Sequence, residues 1–156
     1  MNSASMSRPV RLTFIGLVFA LLVSLFMVAM SRAQHVDKVQ NIANNFSHQN
    51  LICTAYFLFV SQCLANKDAK DPLASRYRAN ADTALKRGIE MGKLADVSDK
   101  ALSAKVELAV EEMKLDTENN CVNISVLFKK HARSCKSTLE DGPDALSAQI
   151  NKLGVK

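Results

Sequence analysis

Four cysteines constrain the folding of this chain more than any other feature of its sequence. They stand at positions 53, 63, 121 and 135 of 156 residues, and all of them lie downstream of an N-terminal apolar run. An even set of cysteines in an exported chain reads as a disulfide framework, because thiols oxidise outside the cytosol. Helix geometry then restricts the pairing. Cys53 and Cys63 fall on one helical segment, about 15 Å apart at the rise of an α-helix. Cys121 and Cys135 fall on another, about 21 Å apart. A disulfide holds its Cα atoms within about 7 Å, so neither pair closes on itself while its helix is intact. The bridges run between the two segments. An antiparallel arrangement gives Cys63–Cys121 and Cys53–Cys135, which is the expected pairing. If the third helix ran unbroken through Asn119 and Asn120, the parallel pairing Cys53–Cys121 with Cys63–Cys135 would replace it.

The export reading rests on residues 12–30, LTFIGLVFALLVSLFMVAM, which carry no charge. Arg8 and Arg11 precede the run and Ser31-Arg32-Ala33 follows it. A basic flank, an apolar core and small residues at this spacing form a signal sequence cleaved after Ala33. The alternative is an uncleaved anchor. Signal cores hold about 7–15 apolar residues and a membrane span needs about 20; this run lies between the two. In that case membrane contact is confined to residues 12–30, with Arg8 and Arg11 left in the cytoplasm. Either way residues 1–33 form the leader and residues 34–156 an exported domain, periplasmic or secreted.

Removing the leader changes the charge balance. The full chain has 20 Lys and Arg against 15 Asp and Glu, with a pI near 9.1. Without Arg8, Arg11 and Arg32 the surplus falls to about two positive charges, seventeen against fifteen. Nucleic-acid binding calls for a clustered basic stripe. The nearest to one is Lys129, Lys130, Arg133 and Lys136, whose helical spacing reads as a solvated face, so no nucleic-acid partner is expected.

The exported part reads as all-α, because period-two alternation is nowhere sustained. A first helix runs from about Val36, or from a fresh start near Ser47, to Asn66, with Cys53, Tyr56, Phe57, Val60, Cys63 and Leu64 on one face. Asp71-Pro72 is an N-cap followed by proline at the first helical position. It opens a second helix to about Ala95 whose inward stripe is Leu73, Tyr77, Ala81, Ala84, Leu85 and Ile89. Gly88 and Gly92 on that helix permit a close crossing or else weaken its end. Ser98 caps a third helix with Leu102, Val106, Ala109, Val110 and Met113 inward. The polar stretch from Asp116 to Asn120 ends it. A fourth helix spans about residues 122–137 with Ile124, Phe128 and Ala132 inward, and Gly142-Pro143 stops it. A short tail helix carries Leu146, Ile150 and Leu153. Short connections between four helices imply an up-down bundle, here stapled by two disulfides.

Catalytic patterns are weak. There is no C-x-x-C, G-x-S-x-G, H-E-x-x-H or phosphate loop, and Glu111 and Glu112 are adjacent, so they diverge around their helix. His48 and His131 could join Cys53 and Cys135 in a zinc site, but that would leave Cys63 and Cys121 without a role. Cys121 near a helix start is the one candidate for a reactive thiol. Asn45 and Asn123 lie in glycosylation sequons. Tyr56, Phe57, Phe59 and Phe128 read as core, or as an apolar pocket between the first and fourth helices. Leu58 and Phe59 point off the main stripe, forming an exposed patch or a second contact with the second or third helix. The expectation is a non-enzymatic module, without catalytic residues, cofactor or metal, that binds a protein or envelope component. A carrier of a small apolar ligand in the bundle core is the alternative, and an envelope thiol-redox or metal-binding protein a third reading.

Overall fold

The structure, a computed structural model, describes residues 8–152, with side chains from Val36 onward apart from Pro143. The leader assigned to residues 1–33, its apolar run and its cleavage position lie outside the described side chains. The chain divides into two compact units, Met1–Lys38 and Val39–Lys156. Among the described residues no helix is long and apolar enough to cross a membrane.

Every regular element of the described residues is helical. Helix α1 spans Arg8–Lys67, α2 Pro72–Leu94 and α3 Asp99–Asp116. A 3-10 turn at Cys121–Asn123 opens the fourth arm, which continues as α4 Ser125–Leu127, a π-helical turn Phe128–Ala132 and α5 Arg133–Glu140. The tail helix α6 is Gly142–Lys152. There is no fresh start near Ser47. Instead Ser47 lies within α1, fully buried, and its hydroxyl donates to the Gly88 carbonyl of α2 at 2.8 Å.

Caps fix the ends where the sequence places them. The Asp71 carboxylate accepts from the Leu73 amide at 2.8 Å, and Ser98 Oγ from the Ala101 amide at 3.3 Å, so orphan amides at both N-termini are satisfied. The C-termini of α2 and α3 close without glycine. Asp96 and Glu118 take φ of 59° and 54°. Val97 N then bonds Gly92 O at 2.9 Å, and Asn119 N bonds Lys114 O at 2.7 Å. These are the six-residue loops of Schellman endings, whose left-handed position usually holds glycine.

Helix α2 packs on α1 through small residues. Ala74, Ala81, Ala84, Gly88 and Gly92 are its buried positions. The expected Leu73 is 47% exposed and Leu85 and Ile89 only half-buried. The reason is the closeness of the crossing. A Cβ at Gly88 would stand 2.7 Å from Leu51 Cδ2 of α1, and one at Gly92 3.1 Å from Ser47 Oγ of α1 and 2.5 Å from Leu102 Cδ2 of α3. The positions of nearest approach admit no bulk, and the larger side chains straddle them. Ser47 to Gly88 and Ser61 to the Ala74 carbonyl, both at 2.8 Å, tie the two helices antiparallel at both ends of the contact.

The fourth arm differs in phase from the expectation. Leu127 and Cys135 are fully buried, whereas Phe128 is 37% exposed and Ile124 and Ala132 are half-buried. Seven residues bring an α-helix almost back into phase, which would set Phe128 beneath Cys135. The π turn at Phe128–Ala132 inserts one residue, so an eight-residue step seats Leu127 there instead. On α3, Leu102, Ala109 and Met113 are buried, as the periodicity predicts, with Val106 and Val110 half-buried. In α6, Leu146 and Ile150 are half-buried; Leu153 is outside the described residues.

Both bridges are the nested ones. Cys53 joins Cys135 with Cα atoms 5.2 Å apart, and Cys63 joins Cys121 at 5.4 Å. The fourth arm is therefore antiparallel to α1, which completes an up-down bundle. Around Asn50–Phe57 α1 is buried on nearly every side. It is the central helix, and the other three cover it.

Candidate functional site

Coverage of α1 fails toward its C-terminal end. Leu58 and Phe59 are half-buried and Gln62 and Asn66 exposed. At one helical turn's spacing, Leu58, Gln62 and Asn66 share a face. They form the floor of a cleft of about 690 Å³. Helix α2 contributes Arg78, α3 contributes Val110 and Lys114, the loop after α3 contributes Asn119, and the 3-10 turn contributes Cys121. Helices α2 and α3 meet close to their connecting loop, where Gly92 touches Leu102. The cleft opens nearer their other ends. The Cys63–Cys121 bridge forms part of its wall.

The electrostatics of the cleft are one-sided. Two cations line it and no carboxylate does. Lys114 pairs with Glu111 at 2.6 Å and Arg78 with Asp82 at 3.9 Å, but neither acid belongs to the lining. These are exposed pairs on single helices, worth about 0–1 kcal/mol. They orient the cations more than they neutralise the cleft.

Between α1 and the fourth arm, where the sequence allows an apolar pocket, Tyr56 fills the core. An opening of about 390 Å³ remains beside it, between Gln49, Ile52 and Cys53 of α1 and His131, Ser134 and Thr138 of the fourth arm. Tyr56 is 1% exposed. Its ring packs against Phe57 at 5.1 Å, His131 at 5.9 Å, Tyr77 at 6.2 Å and Phe128 at 6.4 Å between centroids. Among the described residues its hydroxyl meets no partner at hydrogen-bonding geometry. The Tyr77 ring stands edge-on to that of Tyr56, with its phenol close enough to act on the Tyr56 hydroxyl. Burial first, and the Tyr77 phenol second, push Tyr56 ionisation well above the ordinary tyrosine range. Burial also lowers the His131 pKa, with Lys130 acting in the same direction against weaker opposing effects of Asp116 and Glu112.

The remaining sequence candidates resolve individually. All four cysteine sulfurs are joined in bridges, so Cys121 offers no thiolate in this state and Cys53 and Cys135 no metal ligands. Among the described residues no cluster of three or more His, Cys, Asp or Glu could hold a metal ion. Glu111 and Glu112 are both exposed. Lys129, Lys130, Arg133 and Lys136 are exposed as well, and Lys130 pairs with Asp116 at 2.7 Å and Lys136 with Glu140 at 3.9 Å. The Asn123 side chain donates to the Thr117 carbonyl at 3.2 Å, beside the Cys121 bridge, so its amide nitrogen is already committed; Asn45 is exposed. Sequence reasoning missed Arg78, Lys114 and Asn119, which come together only in the folded chain. The legible sign was the departure of Leu58 and Phe59 from the main stripe.

Comparison of the chain with protein-family models, with curated proteins and with solved structures finds no match. The fold and the site therefore define it by construction alone: a disulfide-stapled helical bundle with an open cleft of about 690 Å³ on its central helix.

Proposed function

We propose that the chain is an exported, non-enzymatic binding module that holds an envelope component in the cleft on α1. The observation that carries this reading is the cleft itself. Its volume falls in the range of about 300–1,000 Å³ typical of ligand sites, and it is built on a helix crosslinked twice to its neighbour. The two bridges suit an oxidising compartment, and the basic flank, apolar run and Ser31-Arg32-Ala33 suit delivery to one. A carrier with its ligand between α1 and the fourth arm is less favoured, because Tyr56 fills the apolar core there and the opening left beside it is smaller, about 390 Å³, and lined mostly by polar residues.

The test is recovery from envelope fractions by the intact protein and by Gln62→Trp, which fills the cleft floor from an exposed position. A component retained by the native chain and lost with Gln62→Trp supports the reading. Equal recovery by both, or none by either, overturns it. Intact mass of the native protein tests the export part: loss of residues 1–33 is expected, and a full-length cytosolic species would refute it.

A further inference from the structure

We propose that the occupant of this cleft is a single-chain amphiphile with an anionic head group. The inference rests on the cleft being a binding site, and it adds the chemical class of the ligand. The lining separates into two kinds of surface. Leu58, Phe59 and Val110 present apolar area for a hydrocarbon chain. Arg78 and Lys114 present the only formal charges of the lining, both positive, in a chain that carries 15 acidic residues. Their carboxylate partners sit on their own helices outside the lining, at exposures of 68% for Asp82 and 64% for Glu111. An anion entering the cleft meets two cations held in place by weak solvent-exposed pairs. It can take charge-assisted hydrogen bonds from both, and the planar Arg fork fits a carboxylate or phosphate oxygen pair. Ser61, the buried polar residue beside the apolar stretch, already donates its hydrogen to Ala74. It offers the ligand no further donor; the side-chain amides of Gln62, Asn66 and Asn119 add neutral donors to the lining, and the counter-charge for the head group comes from the two cations.

Size argues for one chain. About 690 Å³ is the volume of a small-molecule site. An acidic peptide would satisfy the cations but leave Leu58, Phe59 and Val110 uncovered. A neutral or cationic amphiphile would cover them and leave Arg78 and Lys114 without a counter-charge.

The experiment is calorimetric titration of the intact, oxidised protein with dodecanoate below its micelle concentration. Dodecyltrimethylammonium, dodecyl maltoside and hexaglutamate are titrated in parallel. One dodecanoate per chain is expected. Arg78→Gln and Lys114→Gln each weaken it about tenfold, the scale of a lost charge-assisted hydrogen bond. Gln62→Glu changes no volume at its exposed position but puts a carboxylate on the cleft floor; it weakens dodecanoate about tenfold and favours the cationic probe. Unchanged thermal melting of these surface variants shows that folding is not the cause. Binding of the maltoside, the ammonium probe or hexaglutamate as tightly as dodecanoate overturns the assignment, as does indifference of dodecanoate to the three substitutions. If dodecanoate fails to bind while Gln62→Trp still abolishes envelope recovery, the ligand class is wrong and the cleft reading stands. If both fail, both fall.

Discussion

Because the bridges are nested, their contributions to stability are coupled, and the coupling can be worked out. The outer bridge, Cys53–Cys135, spans 82 residues and the inner bridge, Cys63–Cys121, spans 58. Taken alone, crosslinks of these lengths restrict the unfolded chain by about 4.5 and 4.2 kcal/mol at 25 °C in the loop-entropy treatment. With the inner bridge in place, however, the outer one closes only a ring of about 24 residues, from 53 to 63 and from 121 to 135. Its contribution then falls to about 3.4 kcal/mol. By the same cycle the inner bridge contributes about 3.1 kcal/mol when the outer one is present. Either bridge removed first should therefore cost about 3 kcal/mol, and the second more than 4.

The assay is denaturant unfolding under non-reducing conditions of the native chain, Cys53→Ala/Cys135→Ala, Cys63→Ala/Cys121→Ala and the quadruple variant. The packing lost at the fully buried Cys135 enters both sides of the cycle and cancels, which leaves a coupling of about 1 kcal/mol. A sum of the two separate losses that equals or exceeds the quadruple loss would refute the reasoning. So would a loss below about 1 kcal/mol for either bridge.

Three further outcomes follow from the packing. Gly88→Ala gains about 1 kcal/mol of helix propensity, but its Cβ would lie 2.7 Å from Leu51 Cδ2 and 3.0 Å from Leu51 Cγ, and moving both requires a χ1 change in a side chain that is only 1% exposed. Overpacking of about 1–3 kcal/mol should outweigh the gain, and a melting temperature at or above that of the native protein would show otherwise. Tyr56→Phe removes a buried hydroxyl that meets no partner at hydrogen-bonding geometry among the described residues, so it should be neutral or stabilising by up to about 1 kcal/mol; unfolding curves showing a loss larger than that would mean the hydroxyl is bonded, with Tyr77 its neighbour. His131 has a folded pKa below its ordinary 6.5, so the unfolded chain binds its proton first and stability falls as pH drops below about 6.5. His131→Gln should flatten the stability profile between about pH 7 and 5, and an unchanged slope would assign it to other groups.

How much could be read from the sequence depended on what each signal measures. Caps are local chemistry, so Asp71-Pro72 and Ser98 mark helix starts without knowledge of the fold. The bridges were legible because a helix's rise forbids the intrasegment pairs and the short connections set the directions. Hydrophobic size misled at α2, because depth there is governed by how near the backbones come. Ala74 lies deeper than Leu73 and Gly88 deeper than Ile89. Phase failed in the fourth arm, because a period of 3.6 carries no information about a π turn, and Phe128 gave way to Leu127. The Schellman endings at Asp96 and Glu118 had no glycine to announce them. The cleft was legible only as Leu58 and Phe59 lying off the stripe. Its cations are 36 residues apart in sequence, at 78 and 114, and no local pattern joins them.

The two bridges also differ in where they sit, and this links the scaffold to the site. Cys53 is 3% exposed and Cys135 fully buried, both within the main hydrophobic core, although Cys53 also edges the smaller opening toward the fourth arm. Cys63 is 8% exposed, Cys121 is half-buried, and both line the cleft. The inner bridge thus occupies the place where helix coverage of α1 gives out, and a covalent link replaces packing there. Disulfide exchange requires a thiolate to reach a sulfur, so a limited dose of reductant should open Cys63–Cys121 before Cys53–Cys135. Trapping with a mass-tagged alkylating agent, followed by peptide mass spectrometry, should find the first label on Cys63 and Cys121. Helical content should persist at that stage, because the core around Tyr56, Leu127 and Cys135 remains closed, while ligand binding in the cleft weakens as the loop bearing Asn119 is released. Labelling of Cys53 and Cys135 at the same rate would mean that the core opens as readily as the cleft. The division of labour between a buried staple and one at the wall of the site would then be wrong.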